Sequence, residues 1–348
     1  MNNYISIVLP TYNEEKNIIP IIQEIVERNN IYDIEIIVVD DDSTDNTENL
    51  IREISKKDSR VRIINRIDRF GLSSAIKEGC LNARGDIIAV MDSDGQHDPQ
   101  IVSKAIHFLS EMNLDLVIGS RFHSEAKIFG LSNNREAGSR LANLIARTSL
   151  PRNYKNLTDY MSGFFVIRPN KIFTLIRAVN VNGFKFLYEL LSLSKGSLLV
   201  GEVPLNFLSR NHGISKLDLA IFWDFLISLI HSLTFRIIPR RAISFGLVGL
   251  SGIVVQLLIN KFLMSVVDLD FEKSLPFSVV IAATSNYLIN NALTFKFQRL
   301  KGIALLKGLL KFLLVASLPI IANVGLASAY YNLIDNDIIF AQIAGIVV

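Results

Sequence analysis

Short apolar runs alternate with longer amphipathic ones through the first third of the chain. The runs Ile5–Leu9, Ile34–Val39, Val61–Ile64, Ile87–Met91 and Asp115–Ile118 are rich in Val and Ile and barely alternate. Strands buried on both faces read this way. Between them, helical spacing covers Glu15–Arg28, Asp45–Lys56, Gly71–Ala83 and Pro99–Leu109. Strand, helix, strand at this spacing predicts βαβ units, a mostly parallel sheet and an α/β fold. Ligands in such sheets sit beyond the carboxyl ends of the strands. Polar loops fall there: "PTYNEE" after the first strand, "DDDSTD" after the second, "DSDGQHD" after the fourth and "GSRF" after the fifth. Four polar loops on one edge predict a cleft.

The pattern changes beyond residue 216. Leu217–Ile238 is apolar, with a polar stripe of Asp224, Ser228, Ser232 and Arg236. Such a stripe suits a helix lying in a membrane interface, with a spanning helix as the competing reading. Trp223 fits an interfacial anchor. Ala242–Val267 and Leu275–Phe295 are long enough to span, and Phe312–Tyr331 is close to the roughly 20 residues a span needs. Ile338–Val348 is about half a span. The expected organisation is a catalytic domain over 1–216, interface helices over 217–239, and a membrane domain over 240–348 with three full spans and a short or truncated fourth.

Composition supports this division. The 348 residues are 50% hydrophobic, with a mean hydropathy of +0.35, high for a soluble protein. Most acids precede residue 225. A net charge of +3 without a basic run gives no case for nucleic acid. The single cysteine, Cys80, rules out an internal disulfide and fits a reducing compartment. The N-terminus runs straight into a strand, without the basic and long apolar regions of a signal peptide. Arg236, Arg240 and Arg241 precede the first span, and Lys296, Arg299, Lys301, Lys307 and Lys311 fill the loop after the second. The other short loops are mainly acidic, so the catalytic domain is expected on the cytoplasmic side.

The chemistry concentrates in "VMDSDGQHDP". Asp92 and Asp94 stand at i and i+2 after a strand, which puts both carboxylates on one side. Carboxylates this close need a cation or a proton. Two oxygen ligands suit Mg²⁺ or Mn²⁺ completed by phosphate oxygens, and Gln96 can add an amide oxygen. Asp98 is read as the cap of the next helix, before Pro99. His97 is read as a bystander, because oxygen-only sites suit such cations better than imidazole does. One carboxylate among Asp40, Asp41 and Asp42 can accept from a nucleobase or ribose, while Ser43 or Asp45 caps. In "PTYNEE", Pro10 ends the strand, Thr11 or Asn13 can cap, and Glu14 can reach a ligand.

Taken in order, "SIVLPTYNEEKNI", "IIVVDDDSTDNT", "GLSSAIKEG", "VMDSDGQHDP", "VIGSRF" and "SGFFVIR" resemble family 2 of the inverting glycosyltransferases. Among these, "NGFKFLYELL" and "RNHGISKL" resemble the dolichyl- or polyprenyl-phosphate mannose synthases. The tail, with "FGLVGLSGIVVQ" and "NYLINNALTFKF", resembles the GtrA-like membrane domain. The resemblance implies a GT-A fold and a nucleoside-diphosphate sugar donor. It implies that Pro10, Tyr12, Glu14 and Asp41 contact the nucleotide, and that Asp92, Asp94 and Gln96 hold the metal against the diphosphate. Arg121, Arg135 and Ser139 match positions that meet the acceptor phosphate, and Arg210 and Lys216 match positions that close over the diphosphate. "GSRFHSEAKI" departs from the glycine-rich stretch usual after GSR.

The implied function is transfer of a hexose, with GDP-mannose favoured as donor, onto dolichyl or polyprenyl phosphate in a membrane. Glu189 in the "GFKF" block tilts the reading towards mannose. The alternatives are a UDP-glucose-dependent transferase of the same fold, and a protein that only binds or flips a lipid-linked sugar. A complete pair of aspartates with paired arginines argues against a domain that only binds.

Overall fold

The computed structural model describes residues 4–67, 71–129, 133–180, 185–208, 219–234, 236–295 and 298–346, the side chains of 133–135 and 219–222 excepted. The chain divides into two compact units, Met1–Leu233 and Thr234–Val348.

The first unit is built on strands β1 (Tyr4–Thr11), β2 (Asp33–Asp40), β3 (Val61–Asn65), β4 (Ile87–Val90), β5 (Leu116–Ser120), β6 (Phe165–Ile167) and β7 (Val200–Pro204). They form one sheet in the order β3-β2-β1-β4-β6-β5-β7. β6 runs antiparallel to β4 and β5, and every other pair is parallel. The helices are α1 (Ile18–Arg28), α2 (Thr47–Lys57), α3 (Leu72–Asn82), α4 (Gln100–Glu111), α5 (Asn133–Ser149), α6 (Pro169–Ala178), α7 (Phe186–Ser194) and α8 (Leu219–Leu233). The five strands expected in the first 120 residues are all present.

Side-chain alternation sorts each strand between two cores. Ile5, Ile7 and Leu9 of β1 pack with Ile18, Ile22 and Ile25 of α1 and with Val102 and Ile106 of α4. Val8 of β1 turns to the other face, with Ala75, Ile76 and Cys80 of α3, Ile172 of α6 and Phe186 of α7. Helices thus cover both faces of the sheet, and the central strands are largely apolar because both of their faces are buried, whereas the edge strands β3 and β7 are half-buried. Cys80 is fully buried and its thiol is pushed up to about 12. It should therefore resist maleimide in the native protein at pH 7.5 and react stoichiometrically after denaturation, as read by intact mass.

The polar stripe of α8 is in part an internal seam. The Ser232 hydroxyl lies 2.9 Å from that of Ser192 and 3.4 Å from the Ser149 carbonyl. Ser228 is buried, and Phe225 meets the Tyr188 ring edge-on within the core. Polar groups at this spacing can satisfy one another inside the protein as well as at a headgroup layer.

The second unit comprises α9 (Arg240–Ser265), α10 (Phe271–Ile289), α11 (Gly302–Leu333) and α12 (Ile338–Ile346), with a π-helical turn over Asn290–Thr294. By length and composition, α9 and α11 can each cross a membrane. α10 has 19 residues, a rise of about 28 Å at 1.5 Å per residue. Polarity is inverted relative to the first unit. Leu258, Leu306, Leu314, Val315 and Leu318 are exposed, whereas Asn260, Ser274, Ser278 and Gln342 are buried. The Ser274 hydroxyl donates to Asn260 Oδ1 at 2.7 Å, joining α9 to α10. An apolar exterior around an interior that holds the polar side chains is the arrangement that lipid as solvent selects.

Candidate active site

The sheet order places β1 beside β4; the connection from β1 runs to β2 on one side and that from β4 runs to β5 on the other, so a crevice opens beyond the ends of β1 and β4. The acidic turn lies there. The Met91 N–H bonds the Val8 carbonyl at 3.1 Å, which fixes the end of β4 beside β1. Ser93 is turned inward, and its hydroxyl donates to the Pro10 carbonyl at 3.0 Å. Its neighbours Asp92 and Asp94 both lie within electrostatic reach of His97 and Lys185. Gly95, at φ 77°, supplies the left-handed residue that closes the turn. The Gln96 N–H then donates to Asp94 Oδ1 at 3.1 Å. Asp98 Oδ1 accepts the Gln100 N–H at 3.0 Å in the first turn of α4, so it serves as a structural stop.

His97 is not a bystander. It is buried, and its Nδ1 accepts the Asp92 N–H at 3.3 Å while Nε2 lies 3.8 Å from Asp92 Oδ2. Phe164 and Phe207 meet the imidazole edge-on. Burial lowers its pKa, against the pull of Asp92 and Asp94. The ring is a neutral brace for the acidic turn.

The oxygen donors suit a divalent cation. Asp92 keeps about a third of its side chain open, at 29%, and Asp94 is nearly buried. A Cβ on Gly163 would strike the Asp92 carboxylate, so the backbone at this glycine forms a cradle for it. Gln96 donates through its side-chain nitrogen to the Leu208 carbonyl at 3.3 Å, leaving its amide oxygen as a further donor atom. Among the described residues no group of three His, Cys, Asp or Glu side chains could hold a metal. Two carboxylates and an amide match a cation whose remaining ligands are water and substrate oxygens.

Arg121 follows β5 and is held in a fork by Asp159, with Nε at 2.7 Å from Oδ2 and Nη2 at 2.9 Å from Oδ1. Its side chain is 14% exposed, and Asp159 is fully buried. Burial opposes the charge on Arg121, but Asp159 and then Asp92 outweigh it and raise the pKa. Lys185, at the start of α7, lies within electrostatic reach of Asp92, Arg121, Asp159 and Asp94. Burial lowers its pKa, with Asp92 opposing. The structure thus brings Asp92, Asp94 and Arg121 together and adds His97, Asp159, Gly163 and Lys185.

The donor-side residues sit at the ends of β1 and β2. Tyr12 is exposed, and Glu14 Oε2 accepts from Asn17 at 2.6 Å. The Asp41 N–H bonds the Thr11 carbonyl at 2.9 Å, joining the two strand ends. Asp41 is already engaged: Oδ2 accepts the Gly71 N–H at 2.6 Å, and Oδ1 pairs with the buried Arg66. Burial raises its pKa, against Gly71 and Arg66. Each oxygen keeps a second lone pair for a ligand. Arg66 also meets Glu78 at 3.2 Å, so it anchors this end of the cleft. Ser139 lies on α5, where its carbonyl accepts from Asn143 at 3.1 Å. Arg135 is on the same helix, but its side chain lies outside the described residues, as do Arg210 and Lys216 entirely. Leu208, two positions before Arg210, is pinned to the acidic turn by its N–H to the Gln96 carbonyl at 2.9 Å.

The fold is that of a glycosyltransferase of the GT-A type. Residues 6–173 match the glycosyl transferase family 2, and residues 244–348 match the GtrA/DPMS transmembrane domain. The chain is 34% identical over 323 residues to a dolichol-phosphate mannosyltransferase of Pyrococcus furiosus, covering 92% of this chain and 88% of that one. It is 30% identical to the dolichol-phosphate mannosyltransferase of Mycosarcoma maydis, covering 73% and 84%. Among solved structures, glucosyl-3-phosphoglycerate synthase of Mycobacterium tuberculosis with Mn²⁺, UDP-glucose and phosphoglyceric acid superposes with a TM-score of 0.50 at 22% identity. That match covers 67% of this chain and 80% of the other, and it shows the shared fold. The chain belongs to family 2 of the glycosyltransferases, joined to a GtrA/DPMS transmembrane domain, and it is a membrane protein.

Proposed function

We propose that this protein transfers mannose from GDP-mannose to the phosphate of a dolichyl or polyprenyl lipid, with inversion, from the cytoplasmic side of the membrane. The observation that carries the reading is the placement of Asp92 and Asp94 beside Arg121. That placement supports reading one edge of the sheet as an oxygen site for a diphosphate-bound cation beside a buried cation for a second phosphate. The relatives of Pyrococcus furiosus and Mycosarcoma maydis, named for this activity, support it over most of the chain. The basic residues before and at the start of α9, and those filling the loop before α11, support the orientation.

The chemistry needs little from the protein beyond placement. The acceptor is a phosphate monoester, ionised near neutral pH, so no side chain need take a proton from it. One of its oxygens attacks the anomeric carbon from the face opposite the diphosphate. The new carbon–oxygen bond forms as the bond to the diphosphate breaks, and the configuration inverts. Asp92, Asp94 and Gln96 would hold Mg²⁺ or Mn²⁺, which offsets the charge growing on the leaving group. Arg121, with Arg135 and Ser139 of α5, orients the attacking phosphate and offsets its repulsion from the donor. Pro10, Tyr12, Glu14 and Asp41 seat the nucleotide, and Arg210 and Lys216 cover the diphosphate. The Asp41 carboxylate, fixed by Arg66 and Gly71, presents its free lone pairs to base or ribose.

Membranes containing the protein, supplied with Mn²⁺ and a polyprenyl phosphate, should convert GDP-mannose into an organic-extractable mannolipid. UDP-glucose and UDP-GlcNAc should give at most about one hundredth of that rate. Faster glucose transfer from UDP-glucose would overturn the donor assignment. Binding of donor without transfer to any lipid phosphate would overturn the enzymatic reading.

A further inference from the structure

Arg121 does not reach into the cleft by itself. Its Nε and Nη2 are spent on Asp159, and its backbone N–H lies 3.3 Å from the same carboxylate. Asp159 Oδ1 also accepts the Met161 N–H at 3.2 Å and the Asn143 side-chain amide at 3.4 Å. A fully buried carboxylate with this many donors is a fixed point.

That point is held from two directions. From β7, Glu202 Oε1 accepts the N–H groups of Thr158 at 2.8 Å and Asp159 at 3.0 Å. Its Oε2 accepts the Thr158 N–H at 3.0 Å and hydroxyl at 2.9 Å. From α5, Asn143 accepts the Tyr160 N–H at 2.8 Å and donates to Asp159 and to the Ser139 carbonyl. Ser139 and Arg135 belong to that same helix.

We propose that Asp159, clamped by Glu202 and tied to α5 through Asn143, is the positioning residue that aims Arg121 at the acceptor phosphate and sets its register with Ser139 and Arg135. The inference rests on the reading of Arg121 as an acceptor ligand given above. With the fork committed to Asp159, Nη1 and the outer N–H of Nη2 remain for phosphate oxygens, in a plane fixed by the carboxylate. Phe122 and Phe207 lie against the same guanidinium, 5.4 and 5.6 Å from ring centre to Cζ, and limit its swing. Glu202 touches no substrate in this account. It acts on the acceptor only through the Thr158–Asp159 backbone.

The test uses the full-length protein in detergent, with GDP-mannose and a short-chain polyprenyl phosphate. Arg121→Ala should raise the acceptor KM about 100-fold, and Glu202→Gln and Asn143→Ala about tenfold each, with the donor KM within about twofold of wild type. In the Arg121→Ala background, adding Glu202→Gln should change the acceptor KM no further, because its effect runs through the absent side chain. Asp159→Asn should match Arg121→Ala. If it fails to fold, Glu202→Gln and Asn143→Ala still decide the matter. Should those two variants lower Tm or kcat while leaving the acceptor KM unchanged, or should their effects persist undiminished without Arg121, the positioning role is overturned. Should Arg121→Ala itself leave the acceptor KM unchanged, the acceptor reading fails instead.

Discussion

Asp94→Ala should abolish transfer, lowering kcat/KM by at least about 10³-fold, or roughly 4 kcal/mol of transition-state stabilisation. Asp94 is one of two carboxylates at the carboxyl end of β4, and it is the more buried. Alanine removes a proposed cation ligand and also the acceptor of the Gln96 N–H, so the turn loses charge and shape together. On the proposed mechanism the leaving diphosphate would then develop its charge without the cation that offsets it. Transfer of radiolabelled mannose over a range of Mn²⁺ concentrations measures this, and wild-type turnover in the variant would mean that the metal assignment is wrong. Asp98→Ala is the control four positions away. It removes the acceptor of the Gln100 N–H at the start of α4, and should cost about 1 kcal/mol of stability while leaving the metal dependence unchanged.

Gly163→Ala should keep the fold and lower kcat/KM about 100-fold, while raising the Mn²⁺ concentration needed for half-maximal activity. The added methyl meets the Asp92 carboxylate directly. The backbone cannot retreat. Ser162, immediately before, donates its hydroxyl to the Gly119 carbonyl at 2.6 Å, and Phe164, immediately after, is fully buried. Asp92 must therefore give way, out of line with Asp94. The glycine is not in the left-handed region, so the effect is one of space. Unchanged turnover with an unchanged metal dependence would show that Asp92 tolerates the shift, and would remove it from the ligand set.

The sheet and the acidic turn were legible in the sequence because their signals are local. Strands covered on both faces are largely apolar, as Ile34–Val39 is but for Glu35, which is buried against Ser6 and Arg62, and a pair of carboxylates beyond such a run needs a partner wherever it occurs. Asp159 gives no such signal. In "TDYMSG" it reads as a solvated loop acid, and it becomes a buried anchor only because a distant Arg121 comes to meet it. Arg66 in "NRIDRF" reads as a surface residue and is instead buried against Asp41 and Glu78. Lys185 and Glu202 are hidden in the same way, their roles set by contacts between elements far apart in the chain. Gly163 left a trace: a glycine at the mouth of the apolar "FFVI" run signals close approach by some other group. The stripe on α8 shows the reverse limit. Ser228 and Ser232 spaced by four report that a helix face wants polar partners, without saying whether protein or headgroup supplies them.

One departure from a parallel sheet has a wider consequence. β6 alone runs backwards, so the chain enters it at the edge where its neighbours finish. The residues just ahead of it lie between the ends of β4 and β5. Asp159 grips the arginine of one and Gly163 makes room for the aspartate of the other. The interval from Asp159 to Gly163 thus spans the distance between the proposed acceptor arginine and the proposed metal aspartate. A one-residue insertion or deletion there cannot be absorbed by sliding β6, which is paired on both sides. Length variation among relatives should be tolerated in the loop after Arg121 and forbidden in this interval, whichever sugar or lipid a given relative has come to use.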